Sequence, residues 1–166
     1  MALGLLGDDL RNIADKTRNA NRSLSANVWG FEANTINQNL VHHNVFFSDK
    51  VNSEFYEIER GQIPLDPTLY ICAQDREEAN KQQKTERFEI ILNAPPLSKR
   101  KSNEEDFEIC KSVTLERFKN FGLNFQVDLE RKNLTTPKDF NNLFPATDGS
   151  LYGQSPDGMM TTFQRP

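Results

Sequence analysis

Ser23-Leu24-Ser25-Ala26-Asn27-Val28-Trp29-Gly30-Phe31-Glu32-Ala33 reads as a β-strand, and what it asks of its neighbours decides the fold. Side chains alternate along a strand. Leu24, Ala26 and Val28 therefore fall on one side; Ser25, Asn27, Trp29 and Phe31 fall on the other. Large apolar groups on both sides cannot all face water. One face has to pack into a core, and a face without a packing layer would form an apolar groove.

Working outward, four more strands are expected: His42 to Phe47, Thr68 to Ala73, Arg87 to Asn93, and the alternating Phe125, Val127 and Leu129. Helices are expected between them. Ser48 or Asp49 can cap one that carries Val51, Phe55 and Ile58 and stops at Gly61. The longest helix puts Phe107, Cys110, Thr114, Phe118 and Phe121 on one stripe, with Ser102 or Asn103 as cap and Gly122 as stop. Thr136-Pro137 opens another, with Thr as N-cap and Pro at the first helical position. Leu5, Leu6, Leu10 and Ile13 are spaced as a short N-terminal helix. Gln74 to Lys84 is charged and reads as a solvated, mobile loop. This is not the strict alternation of a doubly wound parallel sheet. The expected class is α+β: a mixed, mainly antiparallel sheet with helices on one face.

At 166 residues the chain is one domain's worth, and residues 1–166 are taken as a single unit. A formal net charge of -4 argues against a nucleic-acid footprint. No apolar run approaches bilayer length, and no signal-peptide pattern opens the chain. Cys72 and Cys110 are isolated, which points to a reduced, cytoplasmic setting with both as buried small hydrophobes.

Leu143 to Pro166, "LFPATDGSLYGQSPDGMMTTFQRP", is dense in turn residues, holds the short aromatic run Leu151-Tyr152, and closes on an expected strand at Met159 to Phe163. It resembles the late part of FAD-dependent carotenoid desaturases of the bacterial phytoene dehydrogenase type, in the hydroxyneurosporene or methoxyneurosporene dehydrogenase branch. "RSLSANVWGFEA" (Arg22 to Ala33), "HHNVFFSD" (His42 to Asp49) and "DPTLYICAQDR" (Asp66 to Arg76) are similar to the same family in the same order.

The resemblance implies a substrate domain whose sheet walls an apolar tunnel over the flavin. It implies a carotenoid or other long polyene as ligand, a parent peripheral to membranes, and FAD in the complete enzyme. No Gly-x-Gly-x-x-Gly occurs; Gly149, Gly153 and Gly158 have the wrong spacing. No FAD is therefore expected on this chain alone, which reads as a fragment without the dinucleotide-binding parts and inactive by itself. The alternative is a stand-alone module of desaturase descent that binds an apolar ligand or a partner chain; a homo-oligomer fits either.

Candidate substrate contacts are Trp29, Phe31, Phe46, Tyr70 and Tyr152, whose bland reading is ordinary core. No catalytic residue is assigned. His42 and His43 are adjacent, so on a strand they point to opposite faces and do not share a metal. Asp75-Arg76 is read as a strand-end salt bridge or a functional pair. Asp139 is read as a first-turn helix acid or a general base.

Overall fold

The computed structural model describes residues 20–35, 39–76 and 84–155. The expected N-terminal helix and the expected strand at Met159 to Phe163 lie outside them.

The described chain is α+β, built on a six-stranded sheet. The strands are β1 (Ser25–Thr35), β2 (His43–Phe46), β3 (Leu69–Ala73), β4 (Glu86–Ala94), β5 (Phe125–Gln126) and β6 (Leu134–Thr135). The helices are α1 (Val51–Glu59), α2 (Glu105–Asn120) and α3 (Pro137–Leu143). Strand order is β2-β3-β4-β1-β5, with β6 also on β1, and every pairing among the described strands is antiparallel. β1 is the spine. Its first nine residues pair with β4 from Ser25↔Ala94 to Ala33↔Glu86, while its other edge takes β6 at Val28–Trp29 and β5 at Asn34–Thr35.

Alternation sorts the faces as read from sequence. Trp29, Phe31 and Ala33 of β1 meet Phe88, Ile90 and Leu92 of β4 and Leu69, Ile71 and Ala73 of β3 in one buried cluster. α2 roofs this core face with Cys110 and Phe118. The Trp29 indole N–H donates to Thr114 Oγ1 at 3.0 Å, and the Thr114 hydroxyl donates to the Cys110 carbonyl. The Asn103 side-chain oxygen accepts from the Asp106 N–H, and the Asp106 carboxylate accepts in return from the Asn103 N–H, a reciprocal cap at the expected start of α2. Gly122, at φ +65°, ends it.

Three local expectations needed correction. The fifth strand keeps only two residues, because the Val127 N–H turns back onto the Phe125 carbonyl. Ser48 does not cap α1 with its side chain; its hydroxyl accepts the Lys50 N–H and donates to Asp66. Phe55 is exposed, and the buried acid of α1 is Glu54, whose carboxylate accepts from the Thr68 N–H and the Asn93 amide. Of the expected stripe Ile58 is buried, and α1 also meets the sheet through a polar clamp at Asn93.

α3 begins as the sequence predicts. Thr136 Oγ1 accepts the Asp139 N–H, and the Asp139 carboxylate accepts the Thr136 N–H. Burial raises the Asp139 carboxyl, but the Thr136 hydroxyl and N–H and the Arg131 guanidinium outweigh it, so its pKa lies below the ordinary aspartate value. A depressed acid contributes stability that is complete above its unfolded pKa and drains as pH falls through its native one. Thr136→Ala should cost about 1 kcal/mol in urea unfolding at pH 7. The wild-type chain should lose Asp139's contribution only below the ordinary aspartate range, and the variant should show a shallower acid slope there. Equal acid slopes for the two proteins would rule out the cap.

Candidate functional site

The sheet's second face is not packed like the first. Val28 of β1 is the register partner of Ile91 of β4, Ile91 of Tyr70 of β3, and Tyr70 of Val45 of β2. Each alternates with core-facing neighbours, so the four side chains form one row across four strands on the outer face. At strand spacings near 4.8 Å the row runs about 14 Å. Val28, Tyr70 and Ile91 are half-buried and Val45 is exposed. The neighbouring row, Gly30, Glu89, Cys72 and His43, is polar.

Beside the sheet end lies a groove of about 820 Å³, lined by Leu24, Phe55, Tyr56, Ile58 and Tyr152 among others. Residues 148–155 are laid against residues 21–25 there. Leu24 O accepts the Leu151 N–H, the Ser23 N–H donates to Gly153 O, and Arg22 bridges to Gln154. Ser25 Oγ donates to Gly149 O at 2.6 Å. Gly149 sits at φ +71° with Pro137 O 2.2 Å from where a Cβ would stand, so only glycine fits that corner.

The five aromatics singled out from sequence part company in space. Trp29 and Phe31 lie in the core under α2, Phe31 edge-on to Phe125. Phe46 packs on the same side against Phe121. Tyr70 stands in the outer row, its hydroxyl 2.7 Å from His43 Nδ1. Tyr152 is 71% exposed at the groove. Val28, Val45, Ile91 and Phe55 were not singled out. For the three strand residues the signal was alternation within each strand, but which residues share a row depends on cross-strand register; Phe55 lies on α1.

Asp75 and Arg76 do not pair with each other. Both reach across to the start of β4, Asp75 to Arg87 and Arg76 to the buried Glu86. Asp139 is spent on its cap, as a first-turn acid. His42 precedes β2 and is free of strand alternation; its ring centroid lies 4.2 Å from that of His43.

No protein-family profile matches the chain. Curated proteins do, among them three hydroxyneurosporene desaturases. The chain is 46% identical over 163 residues to the hydroxyneurosporene desaturase of Cereibacter sphaeroides, covering 98% of this chain and 32% of that protein. It is 44% identical to that of Rhodobacter capsulatus over 98% of this chain and 33% of the relative, and 39% identical to that of Rubrivivax gelatinosus over 99% and 32%. Almost the whole chain is thus similar in sequence to one part of hydroxyneurosporene desaturases.

The chain spans about a third of the length of these desaturases. A flavin dinucleotide needs a helix N-terminus with free N–H groups and no competing anion. The described residues of this desaturase-like chain do not fit that need. The first turn of α2 carries Glu105, Asp106 and Glu108; α3 has only seven residues and its start is closed by its own box. A cavity of about 430 Å³ lies between these helix starts, but its Arg100 and Arg131 are already paired with Asp106 and Asp139. No described helix is long and apolar enough to cross a membrane.

Proposed function

We propose that this chain is the substrate-wall portion of a carotenoid desaturase acting on a hydroxylated polyene, with FAD held by other parts of the complete enzyme. The observation that carries the reading is identity of 39–46% to hydroxyneurosporene desaturases along almost the whole chain. In this reading FAD held by other parts of the enzyme would supply a hydride acceptor, and this wall orients the polyene and excludes water.

The wall is the outer sheet face. A polyene is a flat, rigid, apolar rod, and the Val28–Ile91–Tyr70–Val45 row offers a straight apolar track of matching character. Tyr70 contributes its ring face to the track, and Tyr152 with Phe55 lines the groove that continues it. Trp29, Phe31 and Phe46 act from behind, as the packed layer that keeps the strands in register. In this reading the chain depends on the FAD-bearing parts of the complete enzyme for activity. Peripheral contact of the complete enzyme with a membrane in the cytoplasm follows from a ligand that dissolves in lipid.

The test is a chimera. This chain replaces its counterpart in the Cereibacter sphaeroides desaturase, and desaturation of hydroxyneurosporene is followed by the red shift of polyene absorbance. The chimera should desaturate at a rate within about tenfold of the parent, a barrier change of about 1.4 kcal/mol. A chimera that folds and retains FAD but leaves the polyene unchanged would reject the reading.

A further inference from the structure

We propose that His42, His43 and Cys72 form a binding site for a divalent metal ion of the zinc type, at the β2 edge of the outer face. Nothing in this inference depends on the desaturase reading.

The geometry comes from a register and an exception. His43 and Cys72 are direct partners across β2 and β3, and both point to the outer face. His42 stands one residue before β2, so its ring can turn to the side that His43 occupies. The two imidazoles meet edge to face, at 77°. One ligand atom from each of the three residues lies within 4.8 Å of the other two, and His42 Nε2 is 3.8 Å from Cys72 Sγ. Around a tetrahedral zinc with Zn–N about 2.0 Å and Zn–S about 2.3 Å, neighbouring ligand atoms stand about 3.5 Å apart. The three groups need to close by about an ångström, which side-chain rotation supplies.

The surroundings suit a metal. Tyr70 lies 2.7 Å from His43 Nδ1; with that nitrogen donating to the phenol oxygen, Nε2 keeps its lone pair for the ion, the outer-shell arrangement that orients ligating histidines. His42 Nδ1 is buried without a hydrogen-bond partner among the described residues, so no second bond holds that ring away from the sulfur. Glu89, the register partner of Cys72 on β4, adds negative charge beside the site. A cysteine thiol is ordinarily protonated at neutral pH. Binding must release the thiol proton to solvent as the metal–sulfur bond forms. Two imidazoles and a thiolate select zinc, or cobalt as its spectroscopic substitute, over magnesium and calcium. Three protein ligands leave a fourth position for water.

The experiment is a cobalt titration of the full, reduced, metal-free chain, followed by zinc competition. One equivalent of Co²⁺ should bind, with a thiolate-to-cobalt band in the near ultraviolet that Zn²⁺ abolishes. Cys72→Ser should lose that band. His43→Asn, at an exposed position and so harmless to folding, should weaken binding at least about tenfold, since removing one ligand removes a metal bond. Cys110→Ala should leave the band unchanged, because Cys110 is buried on the core face of α2, away from the outer face, with its thiol pushed up to about 12. Bound zinc should also protect Cys72 from iodoacetamide. A folded wild-type chain that shows no thiolate band, a band that survives Cys72→Ser, or unchanged affinity in His43→Asn would each overturn the site.

Discussion

Trp29→Ala should abolish cooperative unfolding of this chain or bring its urea midpoint close to zero. The indole is wholly buried at the centre of β1 and lies 6.0 Å from the Phe107 ring on α2. Truncating a buried aromatic to alanine costs about 3–5 kcal/mol, from lost transfer energy and the cavity left behind. That is a large share of the 5–15 kcal/mol typical of a whole domain. The indole N–H also supplies a donor to Thr114 Oγ1 inside the core, and losing it leaves a buried oxygen less satisfied. Trp29→Phe separates the two contributions: it keeps most of the volume and should cost about 1–1.5 kcal/mol for the hydrogen bond. Trp29 is the single tryptophan, so the transition has to be followed by far-ultraviolet circular dichroism. A Trp29→Ala chain with an unmoved midpoint would mean that α2 is not seated on this face.

Arg76→Met should be nearly as damaging. Arg76 and Glu86 are 7% and 1% exposed, and the guanidinium meets the carboxylate with two hydrogen bonds, 2.8 Å from Nε and 2.7 Å from Nη2. Nη1 donates to the Leu40 carbonyl as well, so one side chain ties the segment before β2 to the end of β3 and the start of β4. Removing one partner of a buried pair costs about 3–5 kcal/mol because the other charge loses its main compensation, whereas replacing both by apolar groups is often close to neutral. The double variant Arg76→Met/Glu86→Leu should therefore be more stable than Arg76→Met alone, despite carrying one more substitution. A double variant at least as unstable as the single one would show that the pair contributes through its hydrogen bonds to the backbone rather than by charge compensation.

These two predictions sit at different depths of legibility. Trp29 was readable: alternation in Ser23 to Ala33 put it opposite Val28, and the stripe through Cys110 and Thr114 marked the helix that covers it. The same local rules found β3, β4, a cap at Ser102 or Asn103 and the Thr136 N-cap, because each depends on residues within a few positions of one another. Arg76 was not readable. Asp75 and Arg76 are neighbours of opposite charge, and from one sequence a pairing between them was as natural as any. Their actual partners, Arg87 and Glu86, are fixed by the register of β3 on β4.

Register also hid the candidate site. Val28, Ile91 and Val45 are unremarkable singly, and they join Tyr70, a candidate from sequence, in a row only when four strands are aligned. The rule that adjacent strand residues face apart failed at His42 and His43 because the strand begins between them. Glu54 illustrates the reverse case. A charged residue in the first turn of a helix normally faces water, and only the Thr68 N–H and the Asn93 amide make its burial tolerable.

The central functional claim is that the outer row carries the polyene, and Ile91 sits in its middle. The most direct measurement is kcat/KM for hydroxyneurosporene in the Cereibacter sphaeroides chimera bearing Ile91→Lys, compared with the unmodified chimera and with FAD content and melting temperature checked in both. A lysine at a half-exposed position leaves the core face untouched, but against an apolar ligand it places a charge that must be desolvated. The account predicts a fall in kcat/KM of at least about tenfold, 1.4 kcal/mol or more, with FAD content and melting temperature unchanged. An unchanged kcat/KM in a folded, FAD-bearing Ile91→Lys chimera would contradict it and move the polyene off this face of the sheet.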